Sequence, residues 1–139
     1  MKSEFPKKYI LFQCGEIGKL FVWSAKQGDD SEDFCYKFMT SQRGADILND
    51  ELIQEYCGES FMYDGLAKDL QFKKGDVYDS DVLYFTGFLY KYWASVRDSS
   101  AREIYALAPI SIIAERYEFY HTQGWDYVID DIISRPYNP

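Results

Sequence analysis

Histidine occurs once in the 139 residues, as His121, cysteine three times and proline four times. Each scarcity excludes something. A lone histidine cannot build a multi-histidine metal centre, and any Cys–His nucleophile would depend on it alone. Cys14, Cys35 and Cys57 are odd in number, widely spaced and form no C-x-x-C pair. They are expected to be small half-buried thiols of a reducing compartment, not a disulfide framework or a zinc site. The apolar run that starts at Tyr9 is stopped by Gln13, Gly15 and Glu16, too early for a membrane span or a secretory signal. The expected location is therefore the cytoplasm, away from membranes. Positive charge is scarce as well, with 15 Lys and Arg against 23 Asp and Glu and a net charge of −8. Direct binding of nucleic acid needs a basic surface that releases counterions, so it is not expected. None of G-x-S-x-G, H-E-x-x-H, G-x-x-x-x-G-K-[ST] or G-x-G-x-x-G occurs, so no motif fixes an activity, and no cofactor or metal is expected.

What the chain does have is apolar and aromatic mass, 47% hydrophobic and 19% aromatic residues, enough for the core of one ordinary domain. The densest stretch is Asp79 to Asp98. Asp79, Ser80 and Asp81 suit a helix N-terminus, and Val82, Phe85, Leu89, Trp93 and Val96 recur at helical steps. Tyr84, Phe88, Tyr92 and Lys91 widen that stripe. A helix apolar almost all round is a central one, covered by its neighbours.

The rest divides into further helical segments. Residues 9–25 read as one helix despite Gly15 and Gly18, and a second begins at Ser31 with Phe34, Cys35, Phe38 and Met39 on one face. After a break over Thr40–Gly44, a helix is expected from Ala45 to Cys57, and another from about Ser60 to Leu70. Ser100 and Glu103 match a capping box that opens a short helix over Ala101–Ala108, and Pro109 starts the next, Ile110–Tyr120. Trp125, Val128, Ile129, Ile132 and Ile133 form the cleanest amphipathic period. The expected fold is a mainly α, single compact helical domain spanning 1–139, built around the central aromatic helix. Tyr9–Phe12 or a Phe72–Val77 hairpin leaves room for a small β element.

Candidate contact residues lie where aromatic and arginine side chains coincide. Tyr90, Trp93, Arg97, Arg102, Tyr120 and His121 are of the types that interface centres favour, and thirteen tyrosines exceed what a core of this size requires. Acids cluster at Asp29, Asp30, Glu32 and Asp33, and again at Asp50 and Glu51, where they serve solubility or face a basic partner. Asp126 and Asp130 are spaced to share a cation, although a solvated helix face explains them better.

The segments YFTGFLYKYW, SSAREIY and FYHTQGWDYVIDDI carry a resemblance. Tyr84, Gly87, Tyr90, Tyr92 and Trp93, then Ser100, Glu103, Ile104 and Tyr105, then Tyr120, His121 and Thr122 are similar to the pattern of a family of small, uncharacterised helical proteins of Firmicutes. The likeness spans roughly residues 79–133. It implies toxin–antitoxin-like gene neighbourhoods and transfers no catalytic residue.

Three functions are consistent with these features. One is a non-catalytic module of the antitoxin, immunity or inhibitor kind that masks a partner protein, such as a toxin or nuclease. A second is an acidic anti-defence inhibitor that imitates nucleic acid toward a nucleic-acid-handling protein. The third is a small enzyme or ligand-binding domain with a pocket near Tyr92, Arg97, Tyr117 and His121. A homo-oligomer is compatible with each.

Overall fold

Helical periodicity in the sequence becomes eight helices in the computed structural model, which describes residues 7–49 and 58–136. They are α1 (Lys7–Lys26), α2 (Ser31–Thr40), α3 (Gln42–Asn49), α4 (Gly58–Leu70), α5 (Ser80–Val96), α6 (Ala101–Leu107), α7 (Ile110–Tyr120) and α8 (Trp125–Ser134). The fold is mainly α, and the central helix is the expected one. α5 packs most extensively on α1 and also touches α3, α6, α7 and α8. Its buried residues run from Val82 to Ser95 on every side of the helix. Even Lys91 is buried, its Nζ donating to the Leu48 carbonyl at the end of α3, 2.6 Å away, where the helix dipole favours a cation.

Two glycines allow α1 and α5 to approach. A Cβ on Gly87 would lie 2.8 Å from the Ile17 carbonyl oxygen, and one on Gly18 would lie 2.8 Å from the Tyr84 ring. These residues are therefore contact points, not weak spots in their helices. Beside them Phe21 meets Phe34, Phe38 and Tyr90 edge to face, with centroids 5.1, 5.2 and 5.8 Å apart, the geometry that aromatic quadrupoles favour.

The break expected at Thr40–Gly44 is shorter than that. The Ser41 hydroxyl accepts from the Gly44 N–H at 3.0 Å, caps the new helix and brings Gly44 inside α3. The helix expected as far as Cys57 is seen to Asn49, and its remainder lies outside the described residues. At α6 the capping box is complete. Ser100 Oγ accepts from the Glu103 N–H at 3.1 Å, and the Glu103 carboxylate accepts from the Ser100 N–H at 2.8 Å.

Tyr9–Phe12 belongs to α1, and the expected Phe72–Val77 hairpin does not form. Gln71 turns the chain with φ 52°, residues 72–79 then cross the start of α2 without regular structure, and the described residues contain one isolated bridge, Asp29 to Lys74. The acidic run stitches this strap down. Asp33 accepts from the Lys73 N–H (2.8 Å), Asp30 from the Asp76 N–H (3.2 Å), and Glu32 from the Tyr78 hydroxyl (3.0 Å). Asp29 is fully buried and accepts from the Tyr63 hydroxyl at 2.5 Å and from Lys74 Nζ at 2.9 Å. An unpaired strap has backbone donors to satisfy, and carboxylates projecting from a helix start satisfy them. Of the expected acidic surface, Asp29 is corrected to a buried position, whereas Glu32 is exposed and Asp30 and Asp33 are half-buried while they tie the strap to α2. Asp50 and Glu51 lie outside the described residues.

The excesses of tyrosine and of acid turn out to be linked. Tyr63, Tyr78, Tyr92 and Tyr120 donate to Asp29, Glu32, Asp126 and Asp131, and Tyr90 donates to the Ala108 carbonyl. Burial, and then for the first four the carboxylate acceptor, pushes every one of these phenols up, Tyr78 and Tyr92 to about 12. A phenol in the unfolded chain ionises near about 10. The folded state binds these protons more tightly, so the stability they contribute is complete below pH 10 and is lost as pH rises from about 10 toward 12. Absorbance at 295 nm should therefore show a block of tyrosines that ionises only together with loss of the helical circular-dichroism signal. Smooth ionisation of all thirteen ahead of unfolding would contradict the assignment.

Candidate functional site

The first two turns of α5 place Asp81, Tyr84, Phe85 and Phe88 at i, i+3, i+4 and i+7, on one face of the helix. Opposite them the end of α7 presents Tyr117 and His121. The Thr122-Gln123-Gly124 turn then reverses the chain and lays Trp125, the first residue of α8, over α5. These seven residues line an open surface cleft of about 320 Å³. Trp125 stacks on Phe88 (4.4 Å between centroids, 13° between planes) and lies 4.8 Å from Phe85. Phe85 meets Tyr117 edge to face at 5.5 Å, and His121 stacks on Tyr117 at 4.9 Å. Tyr84 keeps 39% of its surface exposed and lies 6.0 Å from Phe88. Burial, followed by the negative charges of Asp81 and Glu118, raises the Tyr117 phenol.

A polar cluster adjoins the cleft. Arg97, the C-cap of α5, reaches Asp130 at 3.1 Å and Asp126 at 3.7 Å on α8, and Asp126 also accepts from the Tyr92 hydroxyl at 3.0 Å. Asp126 and Asp130 stay exposed on the polar face of α8, with Arg97 lying between them. On the far side of α8, Tyr120 donates to Asp131 at 2.6 Å and accepts from Arg116 at 2.9 Å, and Asp131 holds Arg135 at 2.7 Å. The Arg135 guanidinium first, then the Tyr120 hydroxyl and last the charge of Arg116 hold the Asp131 carboxyl below its ordinary value.

Of the residues expected to contact a partner, Tyr90, Trp93 and Tyr120 are buried and face the core. An aromatic residue on a helix surrounded by neighbours has no solvent to project into, so their expected contact role is corrected. Arg102 is exposed and donates to the Thr40 carbonyl, joining α6 to the end of α2. Arg97 is partly covered by its two acids. His121 alone of the six lines the cleft. Of the four positions expected around a pocket, Tyr117 and His121 line it, while Tyr92 and Arg97 belong to the adjoining cluster. Asp81, Tyr84, Phe85, Phe88 and Trp125 were not singled out as a site. The i, i+3, i+4, i+7 spacing that unites the first four was visible, but it also describes an ordinary core face.

Cys14 and Cys35 are buried, and burial raises the first thiol to about 12 and the second well above its ordinary value, so neither supplies a thiolate nucleophile. Among the described residues no group of three or more His, Cys, Asp or Glu is placed to hold a metal, and no helix is long and apolar enough to cross a membrane. Comparison with protein-family models, with curated proteins and with solved structures finds no match.

Proposed function

We propose that the protein is a non-catalytic binding module of the antitoxin, immunity or inhibitor kind, which masks a partner protein through the aromatic cleft between α5, α7 and α8. The observation that carries this reading is the cleft itself, in which half-exposed rings of Tyr84, Phe88, Tyr117 and Trp125 line one surface depression. Rings with few rotatable bonds, set in a depression, form the kind of centre on which protein interfaces are anchored. The acidic-mimic alternative has less to stand on, because Asp29, Asp30, Glu32 and Asp33 already accept hydrogen bonds from within the chain. The resemblance of residues 79–133 to small Firmicutes proteins implies toxin–antitoxin-like gene neighbourhoods, but no family model matches and no activity comes with it. Its signature residues Gly87, Tyr90 and Trp93 serve packing in this fold.

The test uses the tagged full chain as bait in a lysate of the cells that encode it. A partner should be recovered in stoichiometric amount, lost with Tyr84→Ser and Phe88→Ser, and kept with Glu32→Gln. Affinity should fall only a few-fold between about 0.05 M and about 0.5 M salt, since an aromatic anchor is little screened. A partner held equally by the cleft variants, or one released steeply by salt, would overturn the reading in favour of an electrostatic face. If no protein is recovered and the melting temperature rises with nucleotides or phosphorylated metabolites, the small-ligand function takes its place.

A further inference from the structure

The chemistry of the cleft says which group it would take. Its walls are the rings of Tyr84, Phe85, Phe88, Tyr117 and Trp125, with the His121 imidazole on Tyr117 and the exposed Asp81 carboxylate at the start of α5. Among the described residues neither lysine nor arginine lines it. Aromatic faces carry partial negative charge and attract cations, most of all a flat guanidinium that can stack on them. A carboxylate beside them adds the charge that makes such a contact selective for a cation over an apolar group. The remaining charge points the same way. Asp81 and Glu118 both act on the Tyr117 phenol. The cleft is an open surface depression of about 320 Å³, across which a long side chain can lie.

Resting on the partner-binding reading above, we propose that the cleft receives a single arginine side chain displayed by a partner protein, stacked between the α5 and α7 rings and paired with Asp81. The guanidinium would lie against Tyr84 and Tyr117, and its aliphatic stem would cover Phe88 and Trp125. The arginines of this chain do not compete for the place. Arg97 is engaged with Asp126 and Asp130, and Arg116 with Tyr120.

The probe is N-acetyl-arginine amide, titrated into the isotope-labelled full chain while the Trp125 indole N–H resonance is followed. N-acetyl-citrulline amide, which has nearly the same shape without the charge, is the control. Arginine amide should shift that resonance saturably, with at least about tenfold weaker binding for the citrulline analogue and a loss of about fivefold or more in Asp81→Asn and in Tyr84→Leu. Both variants alter exposed side chains, and their melting temperatures verify folding. Equal binding of the two amides, or binding that Asp81→Asn and Tyr84→Leu leave intact, would overturn the assignment. A second arm uses the partner recovered with the bait, which arginine amide should displace. If Asp81→Asn binds that partner as well as the wild type does, the arginine docking is overturned while the partner-binding reading survives. If arginine amide binds selectively but no partner protein exists, the site is one for a free cation, and both the partner and its arginine are refuted.

Discussion

Alanine at Trp93 is expected to destabilise the fold by about 4 kcal/mol and to lower the melting temperature by more than about 10 °C. Trp93 is 1% exposed and belongs to α5, the helix that its neighbours enclose. Removal of the indole deletes many close contacts and leaves a space that surrounding helices fill only in part, so the lost transfer energy and the cavity both count. Urea unfolding followed at 222 nm measures the effect as a lower midpoint. The same experiment separates core from contact surface. Tyr84→Ala, at the rim of the cleft, should change the midpoint far less while removing the partner. Should Trp93→Ala prove nearly as stable as the wild type yet lose the partner, Trp93 would be a contact residue after all.

The second large effect belongs to Gly44→Ala, at the corner between α2 and α3. A Cβ there would overlap the Phe38 carbonyl oxygen, with the rest of the Phe38 backbone just behind it. A flexible side chain could swing aside, but this backbone cannot. Phe38 is fully buried, with its ring 5.2 Å from that of Phe21, and the Gly44 N–H is held by Ser41 Oγ at 3.0 Å. The two helices would have to part, at about 3 kcal/mol, against which alanine recovers about 1 kcal/mol of helix propensity. A net loss of about 2 kcal/mol or more is expected in the same urea assay. Gly124→Ala is the control, because a Cβ at Gly124 meets nothing within 4 Å, and its effect should stay below about 1 kcal/mol. Equal effects at the two positions would mean that the corner at Gly44 is looser than its geometry indicates.

The sequence on its own determined the class of fold, the central position of α5, the capping box at Ser100 and Glu103, and the bounds of α7 and α8 to within about two residues. All of these are local. Apolar spacing along one helix and a cap closed within three residues need no distant part of the chain. Tertiary structure decided the rest. Asp29 meets Tyr63 across 34 residues, Glu32 meets Tyr78 across 46, and Lys73 meets Asp33 across 40. No periodicity marks those pairs in advance, so a run of acids reads as a solvated face until the strap is seen to lie across it. The same holds for the aromatic excess. Tyr90 and Tyr84 are one amino acid type on one helix, and only the neighbours of α5 make the first a core residue and leave the second at the edge of a cleft. Residue type and spacing state what a side chain is able to do, whereas its burial and its distant partner, set by the packing of whole helices, determine what it does.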